Sequence, residues 1–428
     1  MKAALYLLLS LAGGPMLAQS AAHSGNMTPG RCCISEIGPY LTGDLGLVRK
    51  RFKMYQELGV EMVRPSLAWR DMEKNPGEWS DPADLGYIEA AIDAGFQIKL
   101  NMGTTCAPPG WYLDAHPDAR IVNENGSYSR NLISPWYAGL HQLLEEKTER
   151  LFQFLSKHPE VVEHLVFIDP DFGPASEPIY PAAWTMGGSA KGDTYWCYGE
   201  NAQSDFRNKM KAKYSDIGRA NAAWKTTFAN WDDVRIPKPG AQPGPFWADM
   251  LTWYRDTKRD FILWQLHDYQ RLMAKYLPKP VEMIIYVPGR DYTESDWNKA
   301  VATAVGTSPI KLMCDSRFLI QTAAKEHCWL QYTASNNEAE VKHLCDYMRD
   351  LGYAGIPMWG ENAGMNPMGE RPLDLASIVV ENGLYGLDFT HSSLVFEKDT
   401  ITPNAVFPEL KKAYTKIKQA YAGGRRGF

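Results

Sequence analysis

The chain lacks any excess of positive charge. Its 45 Lys and Arg stand against 50 Asp and Glu, for a net charge of −5 and a pI near 6.0. That leaves no electrostatic footing for a nucleic acid or an anionic membrane surface. Metal-ligand spacing is missing as well. No CxxC or HExxH occurs and the nine His follow no ligand pattern, so no metal and no other cofactor is expected. Cysteine is sparse, and seven is an odd number, so any disulfide scheme leaves at least one thiol unpaired. No glycine-rich phosphate loop follows the first strand, which argues against a nucleotide-binding sheet. Beyond the N-terminus no apolar run is long enough to span a bilayer.

The N-terminus itself reads as an export signal. Lys2 supplies the positive start, Leu5 to Ala12 the apolar centre, and small residues between Ala18 and Ala22 the cleavage zone. Residues 1–22 are therefore expected to be a signal peptide. The mature protein, 23–428, is expected to be secreted or periplasmic, with no membrane span.

What the chain has in quantity is aromatic side chains, 14 Trp and 22 Tyr, whose faces can stack on sugar rings or simply fill a core. It also alternates short apolar runs with amphipathic ones. Strands are expected at Ile34–Ile37, Val60–Val63, Phe96–Met102, Val162–Ile168, Val281–Val287, Cys328–Thr333, Ala354–Met358 and Leu384–Phe389. Lys311–Cys314 competes with Cys328–Thr333 for sixth place. Helical patterns stand between them, one with Val48, Phe52 and Tyr55 on a single face and Gly59 as its stop. Asp81-Pro82-Ala83-Asp84 opens the next. A long one covers Thr252–Tyr276. Eight strand–helix repeats predict α/β architecture, a (β/α)8 TIM barrel with long loops over the C-terminal ends of its strands. The whole of 23–428 is read as one barrel, with 182–247 an aromatic-rich insertion after strand four.

On that frame, carboxylates project from two strand ends. Asp169, Asp171 and Glu177 follow strand four, and Glu361 follows strand seven. Two opposed carboxyl groups can protonate a glycosidic oxygen and attack, or activate water against, the anomeric carbon. Glu177 lies in Gly173-Pro174-Ala175-Ser176-Glu177-Pro178-Ile179-Tyr180-Pro181, where three prolines restrict the backbone. Arg64, ending strand two, is expected to keep Glu361 ionised, and Tyr332, ending strand six, to donate a hydrogen bond to it. Asn101, Trp69, Trp111, Trp136 and Trp359 are candidate sugar contacts, Trp359 with barrel packing as its alternative. Trp184 and Trp196 are weaker candidates.

Several segments resemble a known family. Val63-Arg64-Pro65, Ala68-Trp69, Met72-Glu73 and Pro76-Gly77 resemble the strand-two region of clan A glycoside hydrolases, especially family 42 β-galactosidases. Pro108-Pro109-Gly110-Trp111, His116-Pro117 and Val122-Asn123-Glu124-Asn125-Gly126 are similar to that family's third-strand loop. Lys213-Tyr214 and Ala220-Asn221-Ala222-Ala223-Trp224 look like its segment after strand four. The resemblance covers roughly 34–290 and the Glu361 strand. It implies a retaining hydrolase of β-linked glycans with Glu361 as nucleophile and an oligo- or polysaccharide as substrate.

The family ends strand four on an Asn-Glu pair, and that register falls here on Pro170-Asp171. A second register is open, because the Glu177 segment resembles the β-amylase stretch whose Glu is the general acid. Glu177 is taken as the acid, with Asp171 as its rival. The alternatives are a β-amylase-like inverting α-glucan hydrolase and a catalytically inactive carbohydrate-binding barrel.

Overall fold

The computed structural model describes residues 28–35, 43–106, 108–186, 192–362 and 371–424. The expected signal peptide and the end of the expected first strand lie outside the described residues. Parallel strands close into a barrel: β1 (Arg31–Ser35), β2 (Met62–Arg64), β3 (Gln97–Gly103), β4 (Leu165–Pro170), β5 (Glu282–Val287), β6 (Trp329–Tyr332), β7 (Met358–Glu361) and β8 (Gly386–Thr390). Each pairs with the next, and β1 pairs with β8. Pro65 interrupts β2, which resumes as Ser66–Ala68 against the end of β3. This is the expected (β/α)8 barrel.

Helices α1 (Leu45–Leu58), α2 (Leu85–Asp93), α3 (Leu140–Leu155), α4 (Pro245–Tyr276), α5 (Ser316–Glu326), α6 (Glu338–Asp350), α7 (Pro372–Glu381) and α8 (Val406–Ala422) surround it. α1 shows why the sequence takes this form. The Asp44 side chain accepts the Leu47 N–H, a cap of about 1 kcal/mol, and Gly59 ends the helix at φ 82°. Val48, Phe52, Tyr55 and Leu58 are buried, each such side chain contributing roughly 1.5–3 kcal/mol. By contrast, α2 begins after Asp84 without a side-chain cap bond.

Three expected strand positions shift. Val162 belongs to a short helix, Pro159–His164, whose proline sits in the first turn, where a missing N–H costs nothing. Pro309 does the same for Ser308–Leu312, so the Lys311–Cys314 candidate is the end of a helix and the turn after it, and β6 falls in the 328–333 run. In the seventh repeat the strand starts only at Met358.

Strand alternation sorts the side chains into two sets. Val63, Ile98, Leu100, Ile168, Ile285, Leu330, Met358 and Leu387 face the helices and form the main core. Cys33, Met62, Phe167, Ile284, Tyr286, Trp329 and Trp359 fill the barrel interior. Above them the inward positions turn polar: Ser35, Arg64, Lys99, Asn101, Asp169, Gln331, Glu361, Asp388 and Thr390.

The segment after β4 builds a second apolar cluster, including Trp136, Tyr180, Trp196, Trp247, Trp253 and Tyr254. Helices Glu200–Tyr214 and Ile217–Trp224 and the first turns of α4 contribute to it. Much of the aromatic content is therefore packing. None of the seven cysteines forms a disulfide, and Cys106 alone is not fully buried.

Candidate active site

The polar layer at the C-terminal ends of the strands holds two carboxylates from one short stretch. On β6 the Gln331 Nε2 donates to Glu361 Oε2 at 2.5 Å. Two residues later the Thr333 hydroxyl donates to Glu177 Oε1 at 2.6 Å. Glu361 Oε1 also accepts from the Thr390 hydroxyl at 2.7 Å. Both glutamates keep part of their surface open, while packed protein surrounds their carboxyl groups.

Burial pushes Glu177 up to about 7, the negative charge of Glu361 adds to this, and the Thr333 hydrogen bond offsets only part. Burial also raises Glu361, with the Asp388 charge next; Lys99, Thr390 and Arg64 pull it back. For Asp388 burial is outweighed by the cations Lys99 and Arg64, so this carboxylate is held low and keeps its charge.

The loop carrying Glu177 is strained. Ala175 and Ser176 have φ of 57° and 67°, a left-handed conformation that costs non-glycine residues roughly 1–3 kcal/mol each. Side chains from β2 and β3 hold it there. The Ser176 hydroxyl accepts from Arg64 Nη2 and from Asn101 Nδ2, both at 2.8 Å. Arg64 and Asn101 also bind Asp169 Oδ2. Gly173 permits the tight return, since a Cβ there would lie 2.4 Å from the Glu177 carbonyl oxygen and 2.6 Å from that of Ile179.

From behind, α4 supports the same segment. Lys258 Nζ donates to the Phe172 carbonyl at 2.9 Å, Gln265 Nε2 to that of Asp171 at 3.2 Å, and the Tyr269 hydroxyl to that of Met102 at 2.8 Å. One turn before Lys258, Tyr254 stacks on Tyr180 with ring centroids 4.1 Å apart.

Asp171 stands apart from the pair. It is buried, its Oδ2 accepts the Cys106 N–H at 3.1 Å, and it packs against Gly103. Burial and then the Asp169 charge raise it to about 7. Its main charged neighbours are Asp169, Arg70 and Arg64, whereas Glu361 is a main influence on Glu177.

Other expected contacts differ. The Tyr332 hydroxyl donates to Glu340 at 3.0 Å, not to Glu361. Position 332 faces the helices and its inward neighbour Gln331 takes the expected role. Arg64 influences Glu361 through charge, and its hydrogen bonds go to Asp169 and Ser176. Trp359 is 1% exposed inside the barrel beneath Glu361, so it packs there and offers no open face. Trp69 is buried with Nε1 on Glu73, in a ring cluster with Trp111 and Tyr112. Trp111 donates its Nε1 to the Glu73 carbonyl. Trp136 stacks on Trp253 at 5.0 Å and Trp196 is buried, whereas Trp184 is 56% exposed.

Lys99, Ser176, Gln331, Thr333, Asp388 and Thr390 were not expected at the site. Four carried a signal: Lys99, Gln331, Asp388 and Thr390 are polar residues at inward positions of otherwise apolar strands.

The family model Glyco_hydro_42, described as beta-galactosidase, matches residues 43–308. Beta-galactosidase BgaA of Thermus sp is 26% identical over 234 residues, 52% of this chain and 32% of that protein. A thermophilic beta-amylase of Thermoanaerobacterium thermosulfurigenes is 28% identical over 156 residues, 34% of this chain and 27% of its own. The chain thus spans well under half the length of either relative. In fold, the catalytic domain of a beta-amylase from Paenibacillus polymyxa superposes with a TM-score of 0.74 at 16% identity, covering 91% of this chain and 98% of that one. A beta-galactosidase from Marinomonas ef1 gives 0.62 at 14% identity, covering 92% and 60%. With more than half of its residues matched by the family model, the chain belongs to glycoside hydrolase family 42.

Proposed function

We propose that this family 42 protein hydrolyses a β-linked, β-galactoside-like glycan by retention, with Glu361 as nucleophile and Glu177 as acid/base. The observation that carries the reading is the pair of carboxyl groups held by Gln331 and Thr333 on one strand end. A raised Glu177 keeps its proton near neutrality and can pass it to the glycosidic oxygen. Glu361 attacks the anomeric carbon as that bond breaks, giving a glycosyl ester. Glu177, now ionised, takes a proton from water, whose oxygen displaces Glu361. The substrate is an oligo- or polysaccharide.

A second reading, inversion, is favoured by the place of Glu177. It lies seven residues past the last residue of β4, Pro170, in the register that resembles β-amylases. Proton NMR of the first-formed sugar decides. Release of the β anomer from a β-linked substrate is expected. The α anomer as first product would overturn retention and leave Glu361 as the base that activates water.

The leader Met1–Ala18 supports export of this hydrolase from the cytoplasm. N-terminal sequencing of protein recovered outside the cytoplasm is expected to begin within residues 19–23. An intact Met1 there would count against it.

A further inference from the structure

We propose that Lys99 is a positioning residue for Glu361, acting through the amide of Gln331. The inference rests on the role given to Glu361 above and adds the group that orients it. Lys99 occupies an inward position of β3, between Ile98 and Leu100, which face the helices. Its side chain is 1% exposed. There Nζ binds the Gln331 Oε1 and, at 2.9 Å, the Asp388 Oδ2. An ammonium has only donors, so the Gln331 atom turned toward it must be the carbonyl oxygen. The other end of the amide, Nε2, is thereby directed at Glu361 Oε2, 2.5 Å away. Turned the other way, the amide would set an oxygen against a carboxylate.

Two further contacts complete the arrangement. Nε2 also reaches Asp388 Oδ2 at 3.4 Å, and Asp388 Oδ1 accepts from the Ser35 hydroxyl at 2.8 Å. The Lys99 charge is therefore balanced by Asp388 while its hydrogen bond to Gln331 acts on Glu361. A position that only needed filling would take an apolar side chain, because a buried ion pair is a poor source of stability.

The groups that bear on Glu361 are Arg64 from β2, Lys99 from β3, Tyr286 from β5, Asp388 and Thr390 from β8, and Glu177 from the loop after β4. Removing Lys99 takes away a cation and frees the amide to turn. Both changes favour the protonated form of Glu361 and so oppose its attack.

The test uses the full-length chain with aryl glycosides. Lys99→Met is expected to lower kcat about 10²-fold, the scale of a small misplacement of a reacting group, with KM within about threefold. The acidic limb of kcat/KM against pH is expected to move up by about one unit. Gln331→Met keeps the Lys99–Asp388 pair and is expected to move the same limb the same way. It decides alone should Lys99→Met not accumulate as folded protein. An unmoved acidic limb overturns the proposal even if kcat falls, because lost stability lowers the amplitude without moving the midpoint. Wild-type turnover by Glu361→Gln would instead overturn the role of Glu361 itself. An inactive Glu361→Gln beside wild-type profiles for Lys99→Met and Gln331→Met would overturn the role of Lys99 alone.

Discussion

Glu361→Gln is expected to lower kcat by about four orders of magnitude or more, the scale on which loss of a covalent nucleophile is felt. The glutamine is nearly isosteric, so the site should keep its shape. Gln331 Nε2 and the Thr390 hydroxyl meet the two carboxylate oxygens; the new amide can accept from Gln331 through its oxygen and donate its NH2 to the Thr390 hydroxyl, which also accepts. Both hydrogen bonds can be kept, while repulsion with Asp388 is relieved. The chain should therefore fold and bind glycoside while failing to turn it over. Steady-state kinetics with a thermal melt check both halves. A Glu361→Gly variant supplied with azide carries the argument further, because the small anion can take the vacated space and attack the anomeric carbon. For a retaining enzyme the product is a glycosyl azide of inverted configuration. If azide restores nothing and Glu361→Gln retains wild-type turnover, Glu361 is not the nucleophile.

Glu177→Gln is expected to cost about 10²–10⁴-fold in kcat/KM on glycosides with poor leaving groups, the usual contribution of a positioned general acid. On dinitrophenyl glycosides the loss should be far smaller, because that leaving group departs without a proton. This dependence separates Glu177 from Asp171. Asp171→Asn removes a carboxylate that accepts the Cys106 N–H, so any loss it causes should be the same for good and poor leaving groups. A stronger dependence for Asp171→Asn would transfer the acid role.

The pH profile has a fixed sign. As the proposed acid, Glu177 would act in its protonated form, so kcat/KM should fall as pH rises through about 7, where burial first and the Glu361 charge after it have raised it. Glu177→Gln should abolish this basic limb. Stability follows the same shift. A carboxyl raised from its unfolded value to about 7 confers no penalty below pH 4, a growing one between 4 and 7, and its full penalty above. The glutamine variant should thus melt higher than wild type at pH 8 and not at pH 4.

The frame of the candidate site was legible because strand alternation and loop position carry it. Glu361 follows an apolar run that ends at a barrel mouth, and Glu177 sits among prolines after β4. Failures of detail trace to parity and register. Tyr332 and Gln331 are adjacent, and one of them had to face inward; the pairing of β6 with its neighbours says which, Tyr286 and Trp359 standing opposite Gln331, and Val287 and Gly360 opposite Tyr332. Trp359 is two residues from Glu361 and so shares its inward face, which buries the ring rather than presenting it. The same parity marks Lys99, Gln331 and Asp388, each a polar residue alternating with apolar ones. The left-handed backbone at Ala175 and Ser176 had no such marker. Neither is a glycine or asparagine, and the conformation exists because Arg64 and Asn101, remote in sequence, hold the Ser176 hydroxyl.

The face of α4 that bears Tyr254, Lys258, Gln265 and Tyr269 has a consequence for cooperativity. These side chains hold the Tyr180 ring and the carbonyls of Phe172, Asp171 and Met102, while the first turns of the same helix are packed into the aromatic cluster of the insertion. Segments joined in this way open together or not at all. The backbone amides of Ser176, Glu177 and Ile179, although in a loop, should exchange their hydrogens with the slow kinetics of α4. A destabilising change at Trp247, in the insertion's core, should quicken them.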